Sequence, residues 1–508
     1  MKEYIQDLKK EFANYNAKLL LRDLMAGITV AAVALPLALA FAVSCGASAA
    51  AGLITAIVSG LVIATLGGAF YQISGPTGTM AAVLMSVIAT HGMGGVFLAT
   101  LMAGVIRILC GIFKVGKLTT FIPMPVITGF TSGIAVIIAL GQIDNILGVK
   151  SVGVSPIEKI GSYFTLGIAP NITAILIGVG VILLMVFYPK KWNAVVPSSL
   201  VAVVIFTAIN IIFPLNVENV GTIPNSLLLD ERLRLEDINL DNIKSLISPA
   251  ISIAALGMIE TLLCGSSAGR MTGVKLSSNR ELVAQGIGNI ISPIFGGIPS
   301  TAAIARTSVA IKSGAVTRLC AIFHSLFILT FMLLLGPVME KIPLSALAGV
   351  LIVTAWRMNE WSAIKYIFSR KFKGGITKFL VTMMATIVFD LTVAILIGVG
   401  VALVLTLAKV SKLESDIDDD DRANLYLRGS VIFSTTNDIE ELLPVLRKKE
   451  SINIDMSGVS VMDISGAKEI LELCEDMAAH GVEVSVTQTS PTVETMLCRG
   501  GVREFLNK

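Results

Sequence analysis

The chain has 508 residues, 54% of them hydrophobic, 15% charged and 6% aromatic, with a mean hydropathy of +0.81. A water-exposed surface takes about 25% charged residues, so a chain of this composition lies mostly in lipid. The net charge of +3, with no basic run interleaved with aromatics, excludes nucleic-acid binding, while six scattered cysteines and three histidines offer neither a CxxC pair nor a metal-ligand spacing. No cofactor is implied.

Residues 1–23 are polar and lack the apolar core and small-residue cleavage site of a signal peptide. They are expected to form a cytoplasmic segment ahead of a retained first helix. Apolar segments follow near 24–45, 49–69, 79–90, 94–113, 123–142, 170–188 and 194–213, and after the acidic stretch Glu218 to Asp241 near 246–265, 281–294, 301–311, 315–336, 343–356, 376–390 and 391–410. That makes fourteen predicted membrane segments in a domain spanning 24–411.

The segments after Gly75-Pro76-Thr77-Gly78 and after Gly296-Gly297-Ile298-Pro299 are too short to span, and they occupy matching places in the two halves. Ile122-Pro123 and Gly129 return as Ile342-Pro343 and Gly349, each 220 residues later. The halves, 24–213 and 246–410, therefore read as a weak internal repeat, inverted because each half holds an odd number of segments. Basic residues before the first segment (Lys2, Lys9, Lys10, Lys18, Arg22) and after even-numbered ones (Lys114, Lys117, Lys190, Lys191, Arg270, Lys275, Arg280, Lys365, Arg370, Lys371, Lys373) fall on one side, predicting two cytoplasmic termini. From 412 to 421 an acidic hinge is expected, and 422–508 alternates like a small soluble α/β domain, with strands at 425–433, 451–456 and 482–487 and helices at 439–448 and 465–479.

A Gly/Pro break at membrane depth survives where it is buried in protein or lines a cavity. Each break precedes a helix N-terminus, which carries about half a positive charge and free N–H groups, so two opposed ones make an anion site. The candidate donors are the backbone amides of Gly78, Thr79, Met80 and Ala81 and of Thr301, Ala302, Ala303 and Ile304. The plainer reading is a pair of proline-kinked spanning helices. Glu260 stands alone in the apolar stretch Ile251 to Leu263, where a carboxylate costs about 2.5 to 3.5 kcal/mol, and residues placed so commonly carry protons or ions. Arg306, seven residues past Pro299, supplies a fixed positive charge to the anion or forms an ion pair with Glu260. Arg107 and His324 are also within membrane segments, each read either as functional or as sealing a helix contact, and Phe41 either walls the cavity or belongs to the core.

Taken together, Leu35-Pro36-Leu37-Ala38-Leu39-Ala40-Phe41, Ile73-Ser74-Gly75-Pro76-Thr77-Gly78, Gly257 to Leu263, Gln285-Gly286-Ile287-Gly288-Asn289 and Gly296-Gly297-Ile298-Pro299 resemble the SulP (SLC26) anion transporters. The tail, with Ile454-Asp455-Met456-Ser457-Gly458-Val459 and Asp463-Ile464-Ser465-Gly466, looks like a STAS domain. The resemblance implies an all-α membrane fold of two inverted seven-helix repeats arranged as core and gate domains, often a homodimer, followed by a cytoplasmic α/β STAS domain. It implies a plasma-membrane carrier of sulfate, bicarbonate, chloride or dicarboxylates, with the anion between the third and tenth helices and Phe41 as the first-helix aromatic. Sodium-coupled bicarbonate carriers of the family have hydroxyls where this chain has Cys264 and Ile304, which favours a proton, through Glu260, as coupling ion. In STAS relatives Ser465 matches a phosphorylated serine, which implies a regulatory protein partner; as a residue, it reads as a helix N-cap. The competing functions are a nucleobase symporter of the same seven-plus-seven plan and a membrane sensor signalling through the tail. An enzyme is disfavoured, because no nucleophile, base and orienter come together.

Overall fold

The structure, a computed structural model, describes residues 2–116, 123–152, 156–166, 169–193, 196–274, 277–389, 391–410, 412–418, 420, 422–487 and 489–506. Lys117, Ile122, Lys275 and the segment ends at 194, 390, 411 and 421 lie outside the described residues. The chain divides into two compact units, Met1–Val399 and Gly400–Lys508.

The first unit is built of helices. A short helix α1 (Lys2–Glu11) precedes α2 (Ala17–Cys45), which begins earlier than the apolar pattern alone predicts. The reason is Asn16, whose side chain accepts from the N–H groups of Lys18 and Leu19 at 3.1 Å and so caps the first turn. α3 (Ala49–Leu66) doubles back so closely that a Cβ on Gly52 would lie 2.1 Å from the Ala38 carbonyl oxygen. α4 (Gly78–Ile112) holds two predicted segments, which change direction at Gly92, φ 65° and ψ −169°. Then come α5 (Met124–Gly141), α6 (Ile172–Phe187), α7 (Ser198–Ile212), α8 (Leu240–Thr272) and α9 (Ser278–Ile291). α10 (Ile304–Lys312), α11 (Leu319–Met339), α12 (Leu344–Met358), α13 (Trp361–Ser369) and α14 (Lys373–Val388) follow, and the last, α15 (Leu391–Val410), begins in the first unit and ends in the second. Among the described residues, six helical stretches are long and apolar enough to cross a bilayer, and further apolar helices are shorter.

Two sets of helices pack internally. α4 lies against α8 and α9 while α2 lies against α11; elsewhere α5 packs on α14 and α6 on α12. The positions related by 220 residues play the same parts. Pro123 and Pro343 both begin helices, at φ −65°. Gly129 and Gly349 both allow a neighbouring backbone to approach, since a Cβ would lie 2.4 Å from the Phe379 carbonyl oxygen in one case and 2.8 Å from that of Gly178 in the other.

α1 is fastened to this unit by polar contacts. Glu11 pairs with Arg318 at 2.9 Å, both side chains buried, and Arg318 and Arg280 each stand 5.5 Å from the Tyr4 ring centre. Burial lifts the Glu11 carboxyl above its ordinary range although the Arg318 guanidinium beside it opposes the shift. Asp23 accepts from the N–H groups of Val316 and Thr317 at 2.6 and 3.1 Å, ahead of α11.

In the second unit a four-stranded sheet has the order β3-β4-β5-β6, with β3 (Leu413–Ile417), β4 (Arg422–Val431), β5 (Ser451–Met462) and β6 (Glu483–Thr487). β3 is antiparallel to β4, and the other pairs are parallel. Half of the expected acidic hinge, Leu413–Ile417, is thus an edge strand, in register with β4 from Leu413 opposite Gly429 to Ile417 opposite Leu425. The segment expected as one helix, 439–448, divides into Thr436–Glu440 and Leu443–Leu446, with Pro444 at the start of the second. α16 (Ile464–Ala479) and α17 (Pro491–Gly500) cover the sheet, burying Leu425, Ile454, Ile470, Leu473 and Leu497.

Candidate anion site at the two chain breaks

The two Gly/Pro breaks meet. β1 (Ser74–Gly75) pairs antiparallel with β2 (Thr301–Ala302), Ser74 opposite Ala302 and Gly75 opposite Thr301, and the Ala303 N–H donates to the Ile73 carbonyl at 3.0 Å. Each broken segment therefore supplies the backbone partners that the other lost by leaving the helix, which is how both persist at membrane depth.

From this crossing α4 and α10 begin. Thr77 caps α4: its hydroxyl accepts from the Met80 N–H at 3.5 Å and donates to Glu260 of α8 at 3.1 Å. The Thr79 hydroxyl donates to the other Glu260 oxygen at 3.0 Å. α10 has no side-chain cap. Arg306, 2% exposed, donates from Nη2 to the Pro76 carbonyl at 2.8 Å, and its Nη1 has no partner among the described residues.

The expected donors divide. Met80 N–H is bonded to Thr77 Oγ1 and Ala81 N–H to the Thr77 carbonyl, while Ala302 N–H meets Thr261 Oγ1 at 3.5 Å and Ala303 N–H is used by Ile73. Thr301 lies inside the β1–β2 pairing, its hydroxyl against Thr261 at 2.9 Å and the Gly257 carbonyl at 3.2 Å. Gly78, Thr79 and Ile304 occupy first-turn positions, whose N–H groups point out of their helices. Among the described residues no acceptor reaches these three from another part of the chain.

The ion pair between Glu260 and Arg306 does not form. Each charge takes partners from the first break instead, the carboxylate two threonine hydroxyls and the guanidinium a proline carbonyl. Phe41, 6% exposed, closes over the start of α4 together with Ile138 and Met358: a Cβ on Gly78 would lie 3.0, 2.5 and 3.5 Å from them. Arg107 is fully buried and bonds the carbonyls of Ser300 and Ile253 at 2.8 and 2.7 Å, sealing α4 to the second break. His324 is buried, and its Nε2 has no partner among the described residues.

Sequence reasoning gave no role to the polar ladder on α9. Gln285 donates to Ser74 Oγ at 2.9 Å, and Asn289 exchanges bonds with both Ser300 backbone groups at 3.0 and 2.8 Å. Glu281, Gln285 and Asn289 repeat every four residues along one helical face, a signal present in the chain. In the second unit, Asp463 and not Ser465 caps α16, accepting from the Gly466 N–H at 2.8 Å. Ser465 is the second helical residue and half-buried, and the Asp463 carboxylate takes the capping bond in its place.

Residues 20–385 match the sulfate permease family model and residues 414–508 the STAS domain model. The chain is 32% identical to the putative sulfate transporter YvdB of Bacillus subtilis, across 98% of this chain and 97% of that one. It is 35% identical to the bicarbonate transporter BicA of Picosynechococcus, across 78% of this chain and 71% of that one. The solved transmembrane domain of a cyanobacterial BicA superimposes with a TM-score of 0.70 at 31% identity, covering 75% of this chain and 98% of that one. The fold also matches murine Slc26a9 in its inward-facing state, with a TM-score of 0.87 at 18% identity over 99% of this chain and 92% of that one.

Proposed function

Because the chain belongs to the sulfate permease family and ends in a STAS domain, we propose that it moves a small anion, sulfate or a similar oxyanion, across the plasma membrane by secondary active transport. The observation that carries this reading is the pair of helix starts, α4 and α10, facing out of one backbone crossing with Arg306 behind them. Two helix N-termini sum to about one positive charge, and with the guanidinium they suit an anion of one or two negative charges. The amides of Gly78, Thr79 and Ile304 donate to it, Phe41 forms the apolar wall, and the remaining candidate residues hold the backbone in place.

Glu260 couples the anion to a proton. It shares the first break with the anion's donors through Thr77 and Thr79, so protonation there changes the field at the α4 N-terminus. The set carrying both breaks (α2, α3, α4, α8 to α11) moves as an elevator against the gate set (α5 to α7, α12, α14, α15), in a homodimer with both termini cytoplasmic. The STAS domain regulates this through a protein partner, with Ser465 as a phosphorylation site. Bicarbonate is the second candidate substrate, supported by the 35% identity to BicA.

The test is uptake of labelled sulfate, bicarbonate, fumarate and uracil by the purified protein in liposomes, with and without an inward proton gradient. Sulfate uptake should be accelerated by the gradient, and Glu260→Gln should lose that acceleration while retaining anion exchange. Uptake that needs sodium and ignores pH would overturn the proton assignment; uptake of uracil alone would overturn the anion.

A further inference from the structure

Beyond the anion path, three of the gate helices, with α13 between two of them, carry a second feature. A cavity of about 410 Å3 opens between α5, α12, α13 and α14, and its walls are almost wholly apolar, among them Val136, Ile352, Trp356, Ile364, Phe368 and Phe379. The volume is that of a ligand site rather than a packing defect. Trp356 and Trp361 pack at its rim with their ring planes tilted by 40° and 4.5 Å between ring centres, and the Trp361 indole N–H donates to the Trp356 carbonyl at 3.1 Å. Paired tryptophans of this kind belong at the boundary between hydrocarbon and headgroups. Nearby on α14, Leu380 and Met384 are exposed, which in a chain of this composition marks a lipid-facing surface.

α13 lies between two apolar helices and has two faces. Trp361, Ile364 and Phe368, at helical spacing, line the cavity. Lys365 on the same helix, Arg370 and Lys371 in the turn that follows it, and Lys373 at the start of α14 are exposed and take no part in the salt bridges among the described residues. Glu360, at the other end of α13, accepts from Thr128 at 3.5 Å. An apolar trough whose rim is interfacial tryptophan and whose end carries four cations matches one molecule in both parts. Acyl methylenes buried in the trough and cations beside the headgroup both favour an anionic lipid.

We propose that this groove is a binding site for an anionic phospholipid of the basic-residue side of the membrane, one acyl chain in the trough and the phosphate against Lys365, Arg370 and Lys371. The lipid then fills the space between α12 and α14 and stiffens the gate.

The experiment is native mass spectrometry of the full-length protein, delipidated in detergent and titrated with dioleoyl phosphatidylglycerol or dioleoyl phosphatidylcholine, which share chains and differ in charge. The parent should retain one phosphatidylglycerol at least tenfold more tightly than phosphatidylcholine. The triple variant Lys365→Ala, Arg370→Ala, Lys371→Ala, changed only at exposed positions, should lose that preference, and Ala139→Trp in the groove wall should lose retention of both lipids. Equal retention of the two lipids by the parent, or an undiminished preference in the triple variant, would overturn the proposal. So would an Ala139→Trp protein that turns from dimer to monomer with lipid retention unchanged, because a second copy would then occupy the groove. If Ala139→Trp does not fold, the triple variant decides alone.

Discussion

The two chain breaks use the same backbone device with opposite support. At the first, Gly75 to Gly78, the helix start is deeply buried, capped by Thr77, roofed by Phe41 and tied through two hydroxyls to a carboxylate. At the second, Ser300 to Ile304, the helix has no side-chain cap, Ile304 is 38% exposed, and the charge behind it is a guanidinium. The first break is thus a fixed wall, and the second an open mouth. Arg306 belongs to the second but, among the described residues, donates its hydrogen bond to the first, so the positive charge of the site is set by how the breaks cross and not by either helix alone.

Removing that link should have the largest effect. Arg306→Ala takes away the charge and leaves the Pro76 carbonyl without its donor, and a charged hydrogen bond contributes about 1.5 to 3 kcal/mol. Sulfate affinity, measured by calorimetric titration, should fall by that amount, and affinity for a monovalent anion by less. An equal loss for both charges would show that Arg306 supports the backbone rather than the ligand.

A subtler break comes from the opposite strand. A Cβ on Gly75 would lie 2.7 Å from Arg306 Nη1, so Gly75→Ala keeps the charge but pushes it aside. The expected loss is about tenfold in Kd, or about 1.4 kcal/mol, and the melting temperature should fall as well, because Gly75 sits at φ 155°, where an L side chain is strained. Thr301→Ala removes only neutral bonds to Thr261 and the Gly257 carbonyl, and should weaken binding by about 1 kcal/mol.

The existence of both breaks was legible because glycine and proline at membrane depth are conspicuous against leucine and alanine. Their pairing was not: a two-residue ladder has no periodicity, and nothing near Ser74 announces Ala302 as its partner. The donor set was half legible for a related reason. Any helix start suggests free amides, but which of them are consumed depends on the Thr77 cap and on Ile73, contacts fixed only by folding. Arg306 and Glu260 stood out as charges in apolar surroundings, yet their partners, uncharged oxygens from the other half of the chain, carry no mark in sequence. In the second unit the expected acidic hinge at 412–421 hid an edge strand, since Leu413 and Ile417 are too few apolar residues among the charges to announce the pairing with β4.

The smallest predicted effect lies in that unit and is one of pH. Arg447 holds the Asp476 carboxyl below its ordinary range through paired bonds of 2.9 and 2.8 Å. With the folded value depressed, the pair's contribution is present above the unfolded carboxylate value of about 3.9 and is lost as pH falls through the folded one. Arg447→Ala should therefore slightly speed hydrogen exchange in α16 at pH 7, and the difference from the parent should vanish in strong acid. A difference that persists there would assign the effect to packing.

The fastening of the first residues to α11 has a consequence for biosynthesis. Asp23 finds its N–H partner on Val316, 293 residues further on, and Glu11 meets Arg318 after 307. At about 5 to 20 residues per second, a ribosome needs roughly 15 to 60 seconds to deliver them. During that interval two carboxylates at the foot of the first membrane helix wait without the groups that will bury them, exposed to water and to the insertion machinery. The N-terminal residues are therefore locked only once residue 318 has been made, long after the helix they precede, and a nascent chain halted before residue 316 is one that quality-control proteases can still grip by its leading end.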